Sequence, residues 1–368
     1  MKLSVVLVHY RTPELAAAAV ESVRRELARP TAAGLAVEIL VVDNGSDAAG
    51  RARLADLPVE LVEPGENLGF AGGVNLGVER AGGDAFVLAN PDVELLPGCL
   101  PRLAAALAGG AAAAGPRLVW DRGGRLLLPP TERRGRASEL LARLADRGPR
   151  WAAFARRRWR RHARRHWRAT EAIPSLHLSG ALLAVARPAW ERVGPFDEGY
   201  RLYFEETDWL LRLHRAGLAA VYEPRAVAAH AFARSAAREP RAEEWFEASR
   251  RRFAARWYGE RFERIAGRIG GAPGGAGLPL PLARPGRPAL DLGELLARPR
   301  RGPLWVEVSP LARGFPAAAE RLEGGSGRWE LPVPIWEGMT PGTWRLTLAD
   351  ERGRELAAAS FVRPEGGR

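Results

Sequence analysis

The segment FEETDWLL sets three carboxylates, Glu205, Glu206 and Asp208, within four positions at the head of a stretch whose apolar face is Trp209, Leu210 and Leu213. Carboxylates this close raise the pKa of at least one member, which suits a general base working near neutral pH. The helix dipole also favours acids in a first turn, so capping is the competing reading, although it needs only one or two of them. A further carboxylate, Asp92, follows the apolar run Phe86 to Leu88 in FVLANPD, with Asn90 two positions before it and Pro91 stiffening the turn. Oxygen ligands placed there suit a divalent cation whose remaining ligands are diphosphate oxygens. A plain Asn-Pro-Asp turn is the alternative. In VEILVVDNGSD, Asp43, Asn44 and Ser46 stand where a strand runs out. A carboxylate at that place can accept hydrogen bonds from a base or a ribose, and the same residues also make a good turn.

In GENLGFAGGVNLG, Asn67 and Asn75 flank Gly69, Gly72 and Gly73, and Gly77 follows; such glycines permit close backbone approach and positive φ. The pattern is not the dinucleotide fingerprint, because the first strand is followed by His9, Tyr10 and RTPE in place of a glycine loop. His230, alone in AVAAHAFARS, reads as a packed side chain unless other ligands converge on it.

The elements that must position these groups alternate. Ser4–Val8, Val37–Val42, Val59–Val62 and Ala85–Leu88 read as strands, with helical spacing over Pro13–Leu27 and Gly73–Arg80. This order predicts an α/β fold with a mostly parallel sheet and flanking helices, whose ligand groups lie beyond the carboxyl ends of the strands. Val119, Ala181–Val185 and Leu218–Tyr222 are expected to complete the sheet, and Arg241–Ile269 to form one or two helices. Gly270–Pro288 is rich in Gly and Pro and reads as irregular. Beyond it, alternating strands and four tryptophans (Trp305, Trp329, Trp336, Trp344) predict a small all-β, sandwich-like domain with Trp in its core. The expected organisation is a catalytic domain over 1–268, carrying an insertion at 131–170, a linker over 269–300 and the β domain over 301–368.

The length of 368 residues holds one large α/β core plus a small domain. A single cysteine, Cys99, excludes a disulfide framework and a structural Cys–zinc site. No apolar run reaches the ~20 residues of a bilayer span, and no signal segment is evident, so a cytoplasmic compartment is expected. The formal net charge is +12, and of the 55 basic side chains only Lys2 is lysine. Part of that excess is concentrated. WAAFARRRWRRHARRHWR, residues 151–168, carries eight Arg and no acid. At 100° per residue it gathers Trp151, Ala155, Trp159, Ala163, His166 and Trp167 on one arc, as an interfacial membrane helix would. Such a helix predicts peripheral contact with an anionic membrane, against the alternative that its Trp face packs on the protein. Nucleic acid is not expected as a partner, since the carboxylates fall at strand ends and not away from a single basic face.

Together, VVDNGS, ENLGFAGGVNLG, NPD, SGALLAV, FDEGYRLYFEETDWLLRLHRAG and the late His230 resemble the inverting family 2 glycosyltransferases, nearest their rhamnosyltransferase-like group, over about residues 1–265. The resemblance implies a GT-A fold and direct displacement at the anomeric carbon of a nucleotide-diphosphate sugar, with a glycan or lipid-linked acceptor. It implies donor contacts from His9, Tyr10, Asp43, Asn67, Gly69, Asn75, Asn90 and Asp92. Asp92 and His230 would be ligands to Mg²⁺ or Mn²⁺. Glu206 would be the general base, with Glu205 and Asp208 as alternates in acceptor binding or helix support. Three positions depart from the family pattern: His9 stands for Asn, Asn90 for the first Asp of the metal motif, and Glu206 for Asp. A catalytically inert sugar-nucleotide or glycan-binding protein is the alternative, and it would be expected to lack Asp92 or the Glu205/Glu206 pair. The resemblance implies nothing for residues 275–368.

Overall fold

The computed structural model describes residues 1–132, 134–231, 241–269, 283–292, 302–323 and 327–365. They divide into two compact units, one of residues 1–118 and 168–259, the other of residues 119–167 and 260–368.

In chain order the elements are β1 (Lys2–His9), α1 (Pro13–Leu27), β2 (Ala36–Asp43), α2 (Ala48–Ala55), β3 (Glu60–Val62), α3 (Gly69–Arg80), β4 (Ala85–Ala89), β5 (Val93–Leu95), α4 (Cys99–Ala108) and β6 (Ala113–Val119). Then come α5 (Arg136–Ala145), α6 (Pro149–Trp167), β7 (Ile173–Pro174), β8 (Leu182–Ala186), α7 (Arg187–Val193), α8 (Glu205–Arg215), β9 (Ala220–His230), α9 (Ala242–Trp257) and α10 (Glu260–Gly267). The remainder is β10 (Ala283–Pro285), β11 (Ala289–Asp291), β12 (Leu304–Ser309), β13 (Ala318–Leu322), β14 (Arg328–Glu330), α11 (Val333–Gly338), β15 (Gly342–Asp350) and β16 (Glu355–Arg363).

The first unit is built on a nine-stranded sheet in the order β3-β2-β1-β4-β8-β6-β9-β5, with β7 beside β9. Strands β3, β2, β1 and β4 pair in parallel, and β8 reverses direction against β4. Strand β1 is buried on both faces, as a parallel strand covered by helices must be. Leu3, Val5 and Leu7 pack with Val20 and Val23 of α1 and Leu103 of α4, while Val6 and Val8 pack toward α3. Helix α3 approaches the sheet closely because of its glycines. A Cβ on Gly77 would lie 2.4 Å from Val6 Cγ1, and one on Gly73 2.6 Å from Val8 Cγ1. Any side chain at either place would push the helix off the strand. Strand β9 runs on past Tyr222 and through Pro224, where the sequence reading ends it. On one side Pro224 falls between the stretch paired with β7 (Val221, Tyr222) and that paired with β5 (Ala228–His230), so its missing N–H breaks neither ladder.

The second unit contains a five-stranded sheet, β10-β16-β15-β12-β13, and a two-stranded one, β11-β14. All six residues of β12 are buried, so both faces of the sheet are covered. Helix α6 covers one of them. Trp159, Ala163 and Trp167 share an apolar cluster with Trp305, Phe315 and Ala319, and the Trp167 and Trp305 rings stack at 5.3 Å. Fully burying each large side chain stabilises by roughly 1.5–3 kcal/mol. The basic insertion therefore belongs with the β sheet of the second unit, not with the catalytic domain in which the sequence places it. Its expected arc is altered as well. Trp151 is exposed, while Arg160 and Arg164 are buried. Arg160 donates to both carboxylate oxygens of the buried Glu307 (2.7–2.9 Å) and to the Gly353 carbonyl at 3.1 Å, and Arg164 donates to the Glu351 carbonyl at 2.7 Å. Hydrophobicity alone does not reveal a carboxylate on the facing strand.

Within the expected linker, residues 270–282 and 293–300 lie outside the described residues. Two parts of 269–300 are strands: β10 pairs in parallel with β16, and β11 pairs with β14. Pro285 is tolerated because β10 is an edge strand. Of the four C-terminal tryptophans, Trp305, Trp329 and Trp344 are buried and Trp336 is half-buried.

Candidate active site

Strands β1 and β2 are in register, with His9 paired to Asp43, and Leu7 of β1 faces Ala89 of β4. The three parallel strands therefore end at one edge and deliver His9, Asp43 and Asn90 there. Asn44 follows and ties this edge to α3: its Nδ2 donates to the Gly69 carbonyl at 2.9 Å, and its Oδ1 accepts from the Leu68 N–H at 3.4 Å. Gly69 holds φ = +74° at the start of α3, and its N–H donates to Asn67 Oδ1 at 2.9 Å. A Cβ there would lie 2.9 Å from the Arg201 carbonyl oxygen, so the position demands glycine on two counts.

A cavity of about 330 Å³ opens at this edge, lined by His9, Tyr10, Asn67, Gly69, Asn90, Glu205, Glu206 and His230, among others. Helix α8 supplies the two glutamates from its first turn. Chain geometry just before that turn is strained. Tyr203 (φ = 66°) and Phe204 (φ = 73°) are consecutive left-handed residues, and with Arg11 (φ = 53°) they are the non-glycine residues of positive φ among those described. Each costs roughly 1–3 kcal/mol, and such strain collects at functional sites. Tyr203 and Arg11 both line the cavity.

The carboxylates of α8 differ sharply. Glu205 is buried, with no hydrogen-bond partner for Oε2 among the described residues, and burial, reinforced by the neighbouring Glu206, holds its pKa well above the ordinary carboxylate range. Glu206 is half-buried and accepts from Thr207 Oγ1 at 3.0 Å. Its side chain fills the space a Cβ on Gly180 would need, 3.1 Å away. Asp208 is fully buried and turned away from the cavity. It accepts from Trp257 Nε1 (2.8 Å), Arg212 Nε (2.9 Å) and the Tyr200 hydroxyl (3.4 Å), and pairs with Arg256 at 3.2 Å. Of the two roles expected for it, helix support fits these contacts.

The antiparallel pairing of β5 with β9 sets Val93 opposite His230 and so brings His230 to Asp92. His230 Nε2 lies 3.3 Å from Asp92 Oδ1, with the Asp92 side chain fully buried. No cluster of three or more His, Cys, Asp or Glu able to hold a metal occurs among the described residues. One carboxylate and one imidazole nitrogen side by side nevertheless fit a cation that takes its other ligands from a diphosphate and water. Asp43 sits behind the cavity wall. Its Oδ1 accepts from the Gly45 and Ser46 N–H groups (3.1 and 2.8 Å) and lies 3.4 Å from His9 Nε2, while Oδ2 has no partner among the described residues. Burial lowers the His9 pKa, partly offset by Asp43, so the imidazole is neutral at neutral pH. Asn75 does not line the cavity. Its Nδ2 donates to the Phe196 carbonyl (3.0 Å) and Glu198 Oε1 (2.8 Å), and its Oδ1 accepts from the Phe196 N–H (2.9 Å), tying α3 to the loop before α8.

A family model described as glycosyl transferase family 2 matches residues 4–174. N-acetylglucosaminyl-diphospho-decaprenol L-rhamnosyltransferase of Mycobacterium tuberculosis is 35% identical over 223 residues, covering 55% of this chain and 69% of that protein. The chain belongs to glycosyltransferase family 2.

Among solved structures similar to this glycosyltransferase is the mannosyltransferase PcManGT from Pyrobaculum calidifontis in complex with GDP-Man and Mn2+, at 15% identity, TM-score 0.42 and 73% coverage of each chain. Another is GalNAc-T7 with UDP, GalNAc and Mn2+, at 14% identity and TM-score 0.44, covering 72% of this chain and 55% of that one. The transferase has cavity residues that the motif reading passes over. Arg11 and Arg201 bring two exposed guanidiniums to the rim, and Arg201 lies 5.1 Å over the Trp245 ring and donates to the Asn67 carbonyl at 3.0 Å. Both arginines stand inside quoted motifs, HYRTPE and GYRLYFEET, yet in a chain this rich in Arg their type alone carries no signal. Trp245 comes from α9, outside every motif. No helix among the described residues of the transferase is long and apolar enough to cross a membrane.

Proposed function

We propose that this glycosyltransferase moves a sugar from a nucleotide-diphosphate donor to a glycan or lipid-linked acceptor, with inversion, and that Glu206 is the general base. The observation that carries this reading is the convergence on one cavity of the β1 and β4 ends with Glu205 and Glu206 of α8. Burial holds the Glu205 pKa well above the ordinary carboxylate range, and Glu206, half-buried at the cavity, is the member of the pair placed to take the proton of an acceptor hydroxyl. Asn67, Gly69 and Asn90 line the donor side, and Asp43 behind the wall supports it one step removed, through His9 and the Gly45–Ser46 turn. Asn75 acts one step removed, by fixing α3. Arg11 and Arg201 suit the charge of a diphosphate.

Asp92 and His230 would hold a divalent cation, Mg²⁺ or Mn²⁺. When bound, such an ion neutralises charge building on the departing diphosphate. The likeness to the M. tuberculosis enzyme supports rhamnose as the sugar and a polyprenyl-diphosphate-linked saccharide as the acceptor. An acceptor of that kind presents its sugar at a membrane surface. The test is transfer from a panel of nucleotide sugars to a synthetic polyprenyl-diphosphate GlcNAc acceptor. Rhamnosyl transfer is expected; transfer from other donors with none from a rhamnose donor would overturn the choice of sugar.

A further inference from the structure

We propose that the solvent face of α6 adsorbs to an anionic lipid surface. The two arcs of this helix have different roles. Ala152, Ala155, Trp159, Ala163 and Trp167 are buried in the second unit, and Arg160 and Arg164 are buried with them on Glu307 and the Glu351 carbonyl. What remains in solvent is a stripe. Trp151 (48% exposed) and Phe154 (57% exposed) are followed by Arg158, Arg161 and Arg165 at the three- and four-residue steps that keep one face of a helix, with Arg157 alongside.

Large aromatics that exposed are few in the described chain, and here two stand on consecutive turns beside four guanidiniums. None of the four arginines has an ion-pair partner among the described residues. The stretch 151–168 contains no acid, so the helix itself supplies no carboxylate to offset them. Below the stripe lies a cavity of about 260 Å³ with an apolar floor that includes Leu141, Trp159 and Phe315, and with Arg158, Arg161 and Arg165 around it; Glu132 is the carboxylate present. Aromatic side chains that enter the headgroup boundary next to a row of cations are what an anionic bilayer selects. Nucleic acid would select the cations too, but it gives no reason for an apolar cavity between them.

The inference goes beyond sugar transfer and does not depend on it, because its test contains no turnover. The full chain is sedimented with vesicles of phosphatidylcholine and phosphatidylglycerol in equal parts, and with phosphatidylcholine alone. Binding is expected to the first and not the second, and to fall as salt is raised. Replacing Arg157, Arg158, Arg161 and Arg165 together by Gln is expected to weaken binding at least about 100-fold. Trp151→Ser with Phe154→Ser is expected to weaken it about tenfold. All six side chains are exposed, so both variants should unfold at the wild-type temperature; if the arginine variant does not, the aromatic one decides. Wild-type-like binding by the folded variants, equal binding to neutral vesicles, or capture of an RNA oligonucleotide without vesicle adsorption would each overturn the proposal. Arg156 and Arg160 are unsuitable for this test, since they pair with Glu355 and Glu307 inside the unit.

Discussion

Adjacent glutamates in one helical turn occupy two environments, and the proposed chemistry follows from that difference. Glu205 is dry, with its pKa held well above the ordinary carboxylate range, and glutamine preserves its shape without a charge, so Glu205→Gln should keep kcat within about tenfold. Glu206→Gln removes the base and should lower kcat by about 10²–10⁴-fold with little change in donor KM. Steady-state kinetics of the two variants check both outcomes, and the reverse ranking would move the base to Glu205. Asp208 acts through structure. Asp208→Ala strands Arg212 and Trp257 without their buried acceptor and should cost about 3–5 kcal/mol, read as a lower thermal midpoint. The crowding of these acids was legible in the sequence. Their division of labour was not, because it depends on Gly180, Trp257 and Arg212 around them. The partner of His230 was likewise hidden, since only the β5–β9 pairing joins it to Asp92.

The β1, β2 and β4 strands and α1 were readable from β-branched runs and helical spacing, and with them the sheet edge on which His9, Asp43 and Asn90 sit. Glycine-rich α3 was readable as a loop and helix, but the function of its glycines is different from cradling a ligand alone. Gly73 and Gly77 let the helix lie against Val8 and Val6, which holds Asn67 and Gly69 at the cavity. Gly77→Ala should therefore cost about 1–3 kcal/mol through overpacking. The short strands β5, β10 and β11 escaped because three residues carry no periodicity; each is recognisable only through its partner strand. The amphipathic character of α6 is legible in the sequence, but its apolar arc begins at Ala152, which is buried, and not at Trp151, which is exposed. Burial of Arg160 and Arg164 against Glu307 is a tertiary fact that charge counting along the chain does not contain.

At the scale of the whole molecule, two compact units carry separate liabilities. In the second, His166 is packed into the protein with its pKa lowered to about 4, chiefly by burial. The unfolded chain then binds the proton more readily than the folded one, so stability is lost as pH falls from about 6.5 to about 4, by up to roughly 3 kcal/mol. His166→Gln should remove that share of the pH dependence, measured by denaturant unfolding across this range. In the first unit, the claim to be tested is that the cavity at the β1 and β4 ends performs sugar transfer through Glu206 and Asp92. The direct measurement is transfer by wild-type, Glu206→Gln and Asp92→Asn proteins, with nucleotide sugars, a lipid-linked acceptor and Mn²⁺. Both variants should retain their fold and lose at least about 100-fold in turnover. Wild-type turnover in both would contradict the assignment of this cavity as the active site.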